Sequence, residues 1–247
     1  LEGYVDVLNL LPEDHPDWPW MAETVREMSD FLLSMTHPRS RIGLFNDATR
    51  NEACPTEELL AYAGRAVDLQ PQRHSRFEET GYYIHESDDV YLIIDGGPIG
   101  PDYLPAHAHA DIFSYELSVD GVLFIVDAGI YEYEAGGMRD YVRSTRAHNT
   151  VCVDGVDQAE CWNSFRVARR YPPRDVSFTQ NAGRSRFEGR FDGYAQLIGD
   201  GIEHNRRIEA NRNERCISIE DTVTGEGRHN VESRIHLHPD VQVERNR

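Results

Sequence analysis

The sequence contains no lysine. All 25 of its lysine-plus-arginine positions are arginine, set against 43 aspartates and glutamates, and the formal charge over 247 residues is -18. A field of that sign opposes nucleic acid and anionic membranes, so neither is an expected partner, and an anionic ligand has to be met by a local group of arginines. Dense carboxylates without lysine suit a salt-rich source; a GC-rich genome that replaces lysine by arginine leaves the same pattern. Long apolar runs are also missing. The longest centres on Val122–Val126, far below the roughly 20 residues that a membrane-crossing helix needs. Cysteine is sparse: Cys54, Cys152, Cys161 and Cys216 form no C-x-x-C pair, which excludes a disulfide scaffold and leaves either free thiols or a single Cys152–Cys161 bridge across a hairpin. There is no internal repeat or low-complexity tract, and the glycines of Gly96–Gly100 read as a turn because no helix follows them. The chain opens on Leu1 without methionine or signal-like segment and reads as a piece of a longer protein.

What is present divides at about residue 70. In residues 1–70 the apolar spacing is helical. Leu1–Leu11 is one short periodic segment, and Trp20–Thr36 places Met21, Val25, Met28, Leu32 and Met35 on one stripe, ended by His37-Pro38. Pro55, with Glu57 and Glu58 in the first turn, opens a third helix to about Val67. In residues 71–247 the period changes to alternation. Short β-branched and aromatic runs recur from Gly81 to the VQVE of Val241–Glu244, separated by turn signals at Asp88-Asp89, Asp120-Gly121, Asp154-Gly155, Asp192-Gly193 and Gly225–Gly227. The expected fold is α+β and mostly β: a helical segment followed by an antiparallel β-sandwich.

The chemistry concentrates between Pro105 and Asp154. Residues two apart on an extended strand share a face, so His107 and His109 can reach a common centre. Asp127 closes the apolar run VLFIV, and His148 follows an arginine-rich loop. Imidazole and carboxylate from separate strands suit zinc, and the preferred ligands are His109, Asp127 and His148, with His107 left beside the metal. The segment from His107 to Asp111 matches five positions of the H-x-H-x-D-H pattern of metallo-β-lactamase-like hydrolases but has Ile112 at the sixth, and Glu116 stands too far along for a cupin. Arg139, Arg143 and Arg146 flank Tyr141 and lead into His148-Asn149, with Arg166, Arg169 and Arg170 further on. These arginines either bind carboxylates or sulfates of a ligand or pair with the abundant acids.

Taken together, H-A-H-A-D, V-D-A-G-x-Y-x-Y, R-x-Y-x-R-S-T-R-A-H-N-T-V, V-D-G, F-D-G-Y and H-N-R-R resemble the heparinase II/III-like polysaccharide lyases, which include alginate and oligoalginate lyases. The resemblance implies that residues 1–70 are the last helices of an (α/α) toroid and residues 71–247 the β-sandwich. It implies one organising zinc on His109, Asp127 and His148 and catalytic roles for His107 and Tyr133 with Tyr131 as fallback; Arg139, Arg143, Arg146 and Asn149 are then the expected substrate contacts by their own chemistry. The implied reaction is β-elimination on a uronic-acid polymer, glycosaminoglycan or alginate, in a periplasmic or secreted parent. Family residues on upstream toroid helices would precede Leu1, so this chain alone is expected to be weakly active or inactive. Two other readings stand beside the lyase: a non-catalytic zinc-stabilised sandwich that binds anionic glycans, and a metal-dependent or glycoside hydrolase, the latter needing two carboxylates about 5 to 9 Å apart.

Overall fold

The structure, a computed structural model, describes residues 1–244. The chain separates into two compact units, one of Leu1–Ile42 with Arg50–Ser75 and one of Gly43–Thr49 with Arg76 onward. The loop Gly43–Thr49, read from sequence as part of the helical segment, thus groups with the strands.

In the helical unit, α1 (Glu2–Leu10), α2 (Trp18–Ser34) and α3 (Thr56–Val67) bury Val5, Leu8, Met21, Ala22, Val25, Ala63 and Val67 in one cluster. Glu57 and Glu58 in the first turn of α3 and Arg65 in its last complement the helix dipole. Of the expected stripe on α2, Met21, Val25 and Met35 are buried while Met28 and Leu32 are half-buried. Fully enclosed instead are the small Ala22 and Ser29. The α2 helix stops at Ser34, ahead of Pro38, because the residue before a proline is pushed out of helical geometry.

The second unit begins with β1 (Arg76–Phe77), β2 (Tyr82–Glu86), β3 (Val90–Asp95), β4 (Tyr115–Val119) and β5 (Val122–Ile125), which form an antiparallel sheet in that order. A short helix α4 (Gly137–Val142), strand β6 (Val151–Val153) and the hairpin of β7 (Glu160–Trp162) and β8 (Arg166–Ala168) follow. The second sheet holds β9 (Arg174–Asn181), β10 (Arg184–Phe191), β11 (Glu203–Asn211) and β12 (Cys216–Thr224) in the order β12-β11-β10-β9, with helix α5 (Gly193–Leu197) between β10 and β11; β13 (Val231–Ser233) pairs with β6. Along β10 the residues Ser185, Phe187, Gly189 and Phe191 face inward and alternate with more exposed neighbours, the pattern of a sheet with one wet face. Leu92, Ile94, Tyr115 and Leu117 share a core with Phe178, Phe187 and Ile208. Two antiparallel sheets over one core are a β-sandwich, and each such side chain contributes about 1.5–3 kcal/mol through burial.

Asp120-Gly121 and Asp154-Gly155 have positive φ at both residues (53° and 78°; 52° and 69°), as a tight hairpin turn requires. Three local expectations are corrected. Asp192-Gly193 starts α5 instead of turning a hairpin. Strand β9 was not expected, because Val176 and Phe178 are its apolar residues and the rest is polar and mostly exposed. Residues 241–244 form no strand. All four cysteines are free thiols.

Candidate active site

The loop Gly43–Thr49 is fastened to the sandwich by backbone contacts that dictate residue type. The buried Glu116 of β4 accepts hydrogen bonds from the Leu44 N–H at 3.0 Å and the Asp127 N–H at 2.9 Å, tying the loop to the end of β5. The Ile130 N–H donates to the Ala48 carbonyl at 3.1 Å. Gly129 sits at φ 58° where a Cβ would stand 2.4 Å from that same carbonyl oxygen, so glycine is required there. The V-D-A-G segment thereby presents Asn46 and Asp47 to the histidines, and the Asn46 side-chain oxygen accepts from the His109 N–H at 3.1 Å.

Asp47 is the centre of the polar cluster. One carboxylate oxygen lies 2.9 Å from His107 Nδ1 and the other 2.9 Å from His109 Nε2. The guanidinium of Arg139 grips both oxygens, Nη2 at 2.8 Å from Oδ2 and Nη1 on Oδ1. Burial alone would favour the neutral acid, but the hydrogen bonds from His109 and Arg139, with help from His107, hold Asp47 well below the usual carboxylate range. Arg139 is in turn fixed by the Ser164 carbonyl, which accepts from Nε at 3.0 Å and Nη2 at 2.8 Å.

Around this polar centre the aromatic rings converge. The His107 ring stands edge-on to Tyr133 (centres 6.0 Å apart) and to Phe165 (5.6 Å), and the Arg139 guanidinium lies 5.5 Å and 5.7 Å from those two ring centres. The His107 side chain is 56% exposed whereas that of His109 is fully buried. Tyr133 is the tyrosine at His107; Tyr131 is 73% exposed, and no contact places it in the cluster. Phe165, at the tip of the β7–β8 hairpin, was missed from sequence, where nothing but its nearness to Trp162 and Arg166 marks it.

The expected metal residues are adjacent but not arranged as three open ligands. The His148 Nδ1 lies 2.9 Å from each oxygen of Asp127, whose Oδ2 also accepts from Ser114 Oγ at 2.9 Å. The His109 and His148 ring centres are 5.3 Å apart. Among the described residues no group of three His, Cys, Asp or Glu side chains surrounds a metal position. The chemistry of the donors nevertheless fits a cation held by the two imidazoles: His109 Nδ1 and His148 Nε2 are both buried without a hydrogen-bond partner, and both are lone-pair positions when neutral. Burial brings His109 down to about 4, against the opposing bond from Asp47. Burial also acts against charge on His148, but Asp127 and Asp111 overcome it and raise the imidazole to about 9. Asp111, likewise buried, is pushed up to about 7 by desolvation, with His148 opposing and Asp127 reinforcing.

The four residues expected to contact substrate divide. Arg139 and Arg143 are 0% and 1% exposed. Arg143 donates to the carbonyls of Ala108, Ala106, Asn163 and Ser164 at 3.2–3.4 Å. Buried Asn149 donates to the Tyr115 and Val126 carbonyls, both at 2.9 Å, and accepts from the His236 N–H at 2.6 Å. These three are engaged inside the protein, and a guanidinium bonded to backbone carbonyls is not presented to a ligand. Arg146 is exposed.

Comparison with known proteins gives this sandwich a family. The family model described as heparinase II/III-like, C-terminal, matches residues 69–247, and the chain belongs to that family. Among solved structures, the heparinase III BT4657 gene product is 18% identical with a TM-score of 0.70 over 97% of this chain and 37% of that one. A mutant of the heparan sulfate lyase HepC from Pedobacter heparinus is 19% identical with a TM-score of 0.69 over 97% and 38%. The likeness to these structures is one of fold, and the chain spans less than two fifths of their length. No curated protein matches the chain.

Proposed function

We propose that this chain is the C-terminal part of a lyase that cleaves a uronic-acid-containing polysaccharide, a glycosaminoglycan in the first instance, by β-elimination. The observation that carries the reading is the exposed imidazole of His107, bonded through Nδ1 to a buried carboxylate and packed edge-on to Tyr133. A carboxylate-held imidazole beside a phenol is a general base next to a general acid.

Elimination requires removal of the C5 proton, protonation of the departing O4 as the C4–O4 bond breaks, and neutralisation of the C6 carboxylate so that the C5 proton becomes acidic. His107 Nε2 takes the C5 proton, the Tyr133 hydroxyl delivers a proton to O4, and a C4–C5 double bond forms. Of the four candidates for the carboxylate, Arg146 is the exposed one and takes that role. The helical unit is then the end of an (α/α) toroid, in a periplasmic or secreted parent. Zinc, when bound, would be held by His109 and His148, with Asp127 orienting His148 through Nδ1 as metal-bound imidazoles are commonly supported, and would supply charge and rigidity to the site. The parent protein is expected to generate the ultraviolet absorbance of the new double bond from heparan sulfate or another uronan, to lose it with His107→Ala, and to keep most of it with Tyr131→Phe. No absorbance from any uronan would sink the reading.

A further inference from the structure

We infer that Asp47 is a positioning residue that sets the two imidazoles of the H-x-H segment in opposite senses, one for the substrate and one for the metal. The inference rests on the lyase reading for its consequence, but its geometry stands on its own. An extended H-x-H would aim both rings the same way. Here Pro105–His107 is a turn of 3-10 helix, and an exposed ring and a buried ring meet the two oxygens of one buried carboxylate, Oδ2 at His107 Nδ1 and Oδ1 at His109 Nε2, each 2.9 Å.

An ionised carboxylate only accepts. Each ring nitrogen facing Asp47 therefore carries the hydrogen, and a neutral imidazole has one to place. His107 is fixed as the Nδ1–H form with its lone pair on Nε2, the nitrogen that acts as base. His109 is fixed as the Nε2–H form with its lone pair on Nδ1, the buried nitrogen without a partner. Arg139 keeps the carboxylate charged and oriented through two contacts to Asp47 and two to the Ser164 carbonyl. Asp47 thus joins base and metal ligand through a residue sixty positions upstream.

The test is a long-range proton–nitrogen spectrum of the full 247-residue chain labelled with 15N-histidine, treated with EDTA, at neutral pH. Signals are assigned with His107→Gln and His109→Gln. Opposite tautomers are expected, Nδ1–H at His107 and Nε2–H at His109. In Asp47→Asn the His107 signal should move to the mixture of a free imidazole, and zinc affinity should fall about 10–100-fold, the usual effect of removing a carboxylate behind a ligand. In a parent that cleaves uronan the same variant should lower kcat while KM stays near its original value, with partial recovery in Asp47→Glu. The same tautomer at both histidines in the unmutated chain, or tautomers indifferent to Asp47→Asn, overturns the inference. Should Asp47→Asn fail to fold, the unmutated spectrum still decides. Opposite tautomers in a parent that cleaves no uronan would refute the lyase reading and leave the positioning role intact.

Discussion

Gly189 faces the ring of Phe113 so closely that a Cβ on it would stand 2.4 Å from the ring edge. Phe113 itself holds a φ of 65°, a left-handed conformation that costs a bulky residue about 1–3 kcal/mol. It is kept there from two sides. Its carbonyl accepts from Arg206 Nη1 at 2.8 Å, and Arg206 is anchored on Asp221 by contacts of 2.7 and 2.8 Å. The strained residue is what turns the histidine-bearing loop into β4. Gly189→Ala is therefore expected to lower stability by about 1–3 kcal/mol through overpacking. Urea unfolding should show a lower midpoint with an unchanged slope, and a midpoint equal to that of the parent chain would contradict this packing.

Arg143 and Arg146 lie three positions apart and should behave as opposites. Replacing Arg143 by Met strips the donor from the buried Ala108 carbonyl and from the half-buried contacts to Ala106 and Asn163, while Ser164 keeps its bonds from Arg139; a buried acceptor left unpaired costs about 1–3 kcal/mol. A drop of several degrees in melting temperature is expected, together with loosening of the hairpin tip that carries Phe165. Arg146→Ala, on an exposed side chain, should change stability by no more than about 0.5 kcal/mol while weakening the binding of a uronan oligosaccharide followed by calorimetry. A stable Arg143→Met protein that has lost oligosaccharide binding would return Arg143 to the substrate.

The same arginines show where the sequence is legible and where it is not. Alternating runs with Asp-Gly turns announce a sandwich, because a strand with one wet face must alternate and a tight hairpin must have positive φ. Strand β9 escapes that logic, since Phe178 is its one fully inward residue and pairing to β10 supplies the rest. The histidines stood out because their spacing is local and their chemistry narrow, whereas Tyr133 was singled out only by the family resemblance, with Tyr131 as its fallback. The burial of Arg139, Arg143 and Asn149 was not legible, because a charged or amide side chain declares its role only once its partners are placed, and those partners are mostly backbone carbonyls. Asp47 was visible only as part of a loop without a motif. Its function arises from a contact with His107 sixty positions away.

Two histidines of the site impose pH dependence of opposite sign on the metal-free protein. His109 falls to about 4 in the fold from about 6.5 when unfolded. Between those values the unfolded chain binds the extra proton, and stability rises with pH. His148 rises to about 9, so its contribution is complete below about 6.5 and is lost as pH climbs toward 9. Their joint contribution peaks near neutrality. In EDTA, urea midpoints at pH 5, 6.5 and 8.5 should show His109→Asn flattening the acid side and His148→Asn the alkaline side. If the two variants give profiles parallel to that of the unmutated chain, neither ring titrates as its surroundings require.

Metal removal acts on the same pair of rings through a different route. Without an ion, His109 Nδ1 and His148 Nε2 are buried polar atoms with no partner, a condition that costs about 1–3 kcal/mol for each group. An ion held by these two nitrogens would remove that cost and, binding the folded state alone, would add about 2.7 kcal/mol at a hundredfold excess over Kd. For a domain of this size that corresponds to a rise in melting temperature of roughly 5–10 °C. The purified chain is expected to carry one zinc, to melt lower after EDTA, and to recover on addition of zinc. His109→Gln should melt at the same temperature with and without EDTA, because it removes one of the two donors, while Tyr131→Phe should keep the full shift. A chain without zinc, whose melting ignores both EDTA and added metal, would make the paired imidazoles a feature of packing.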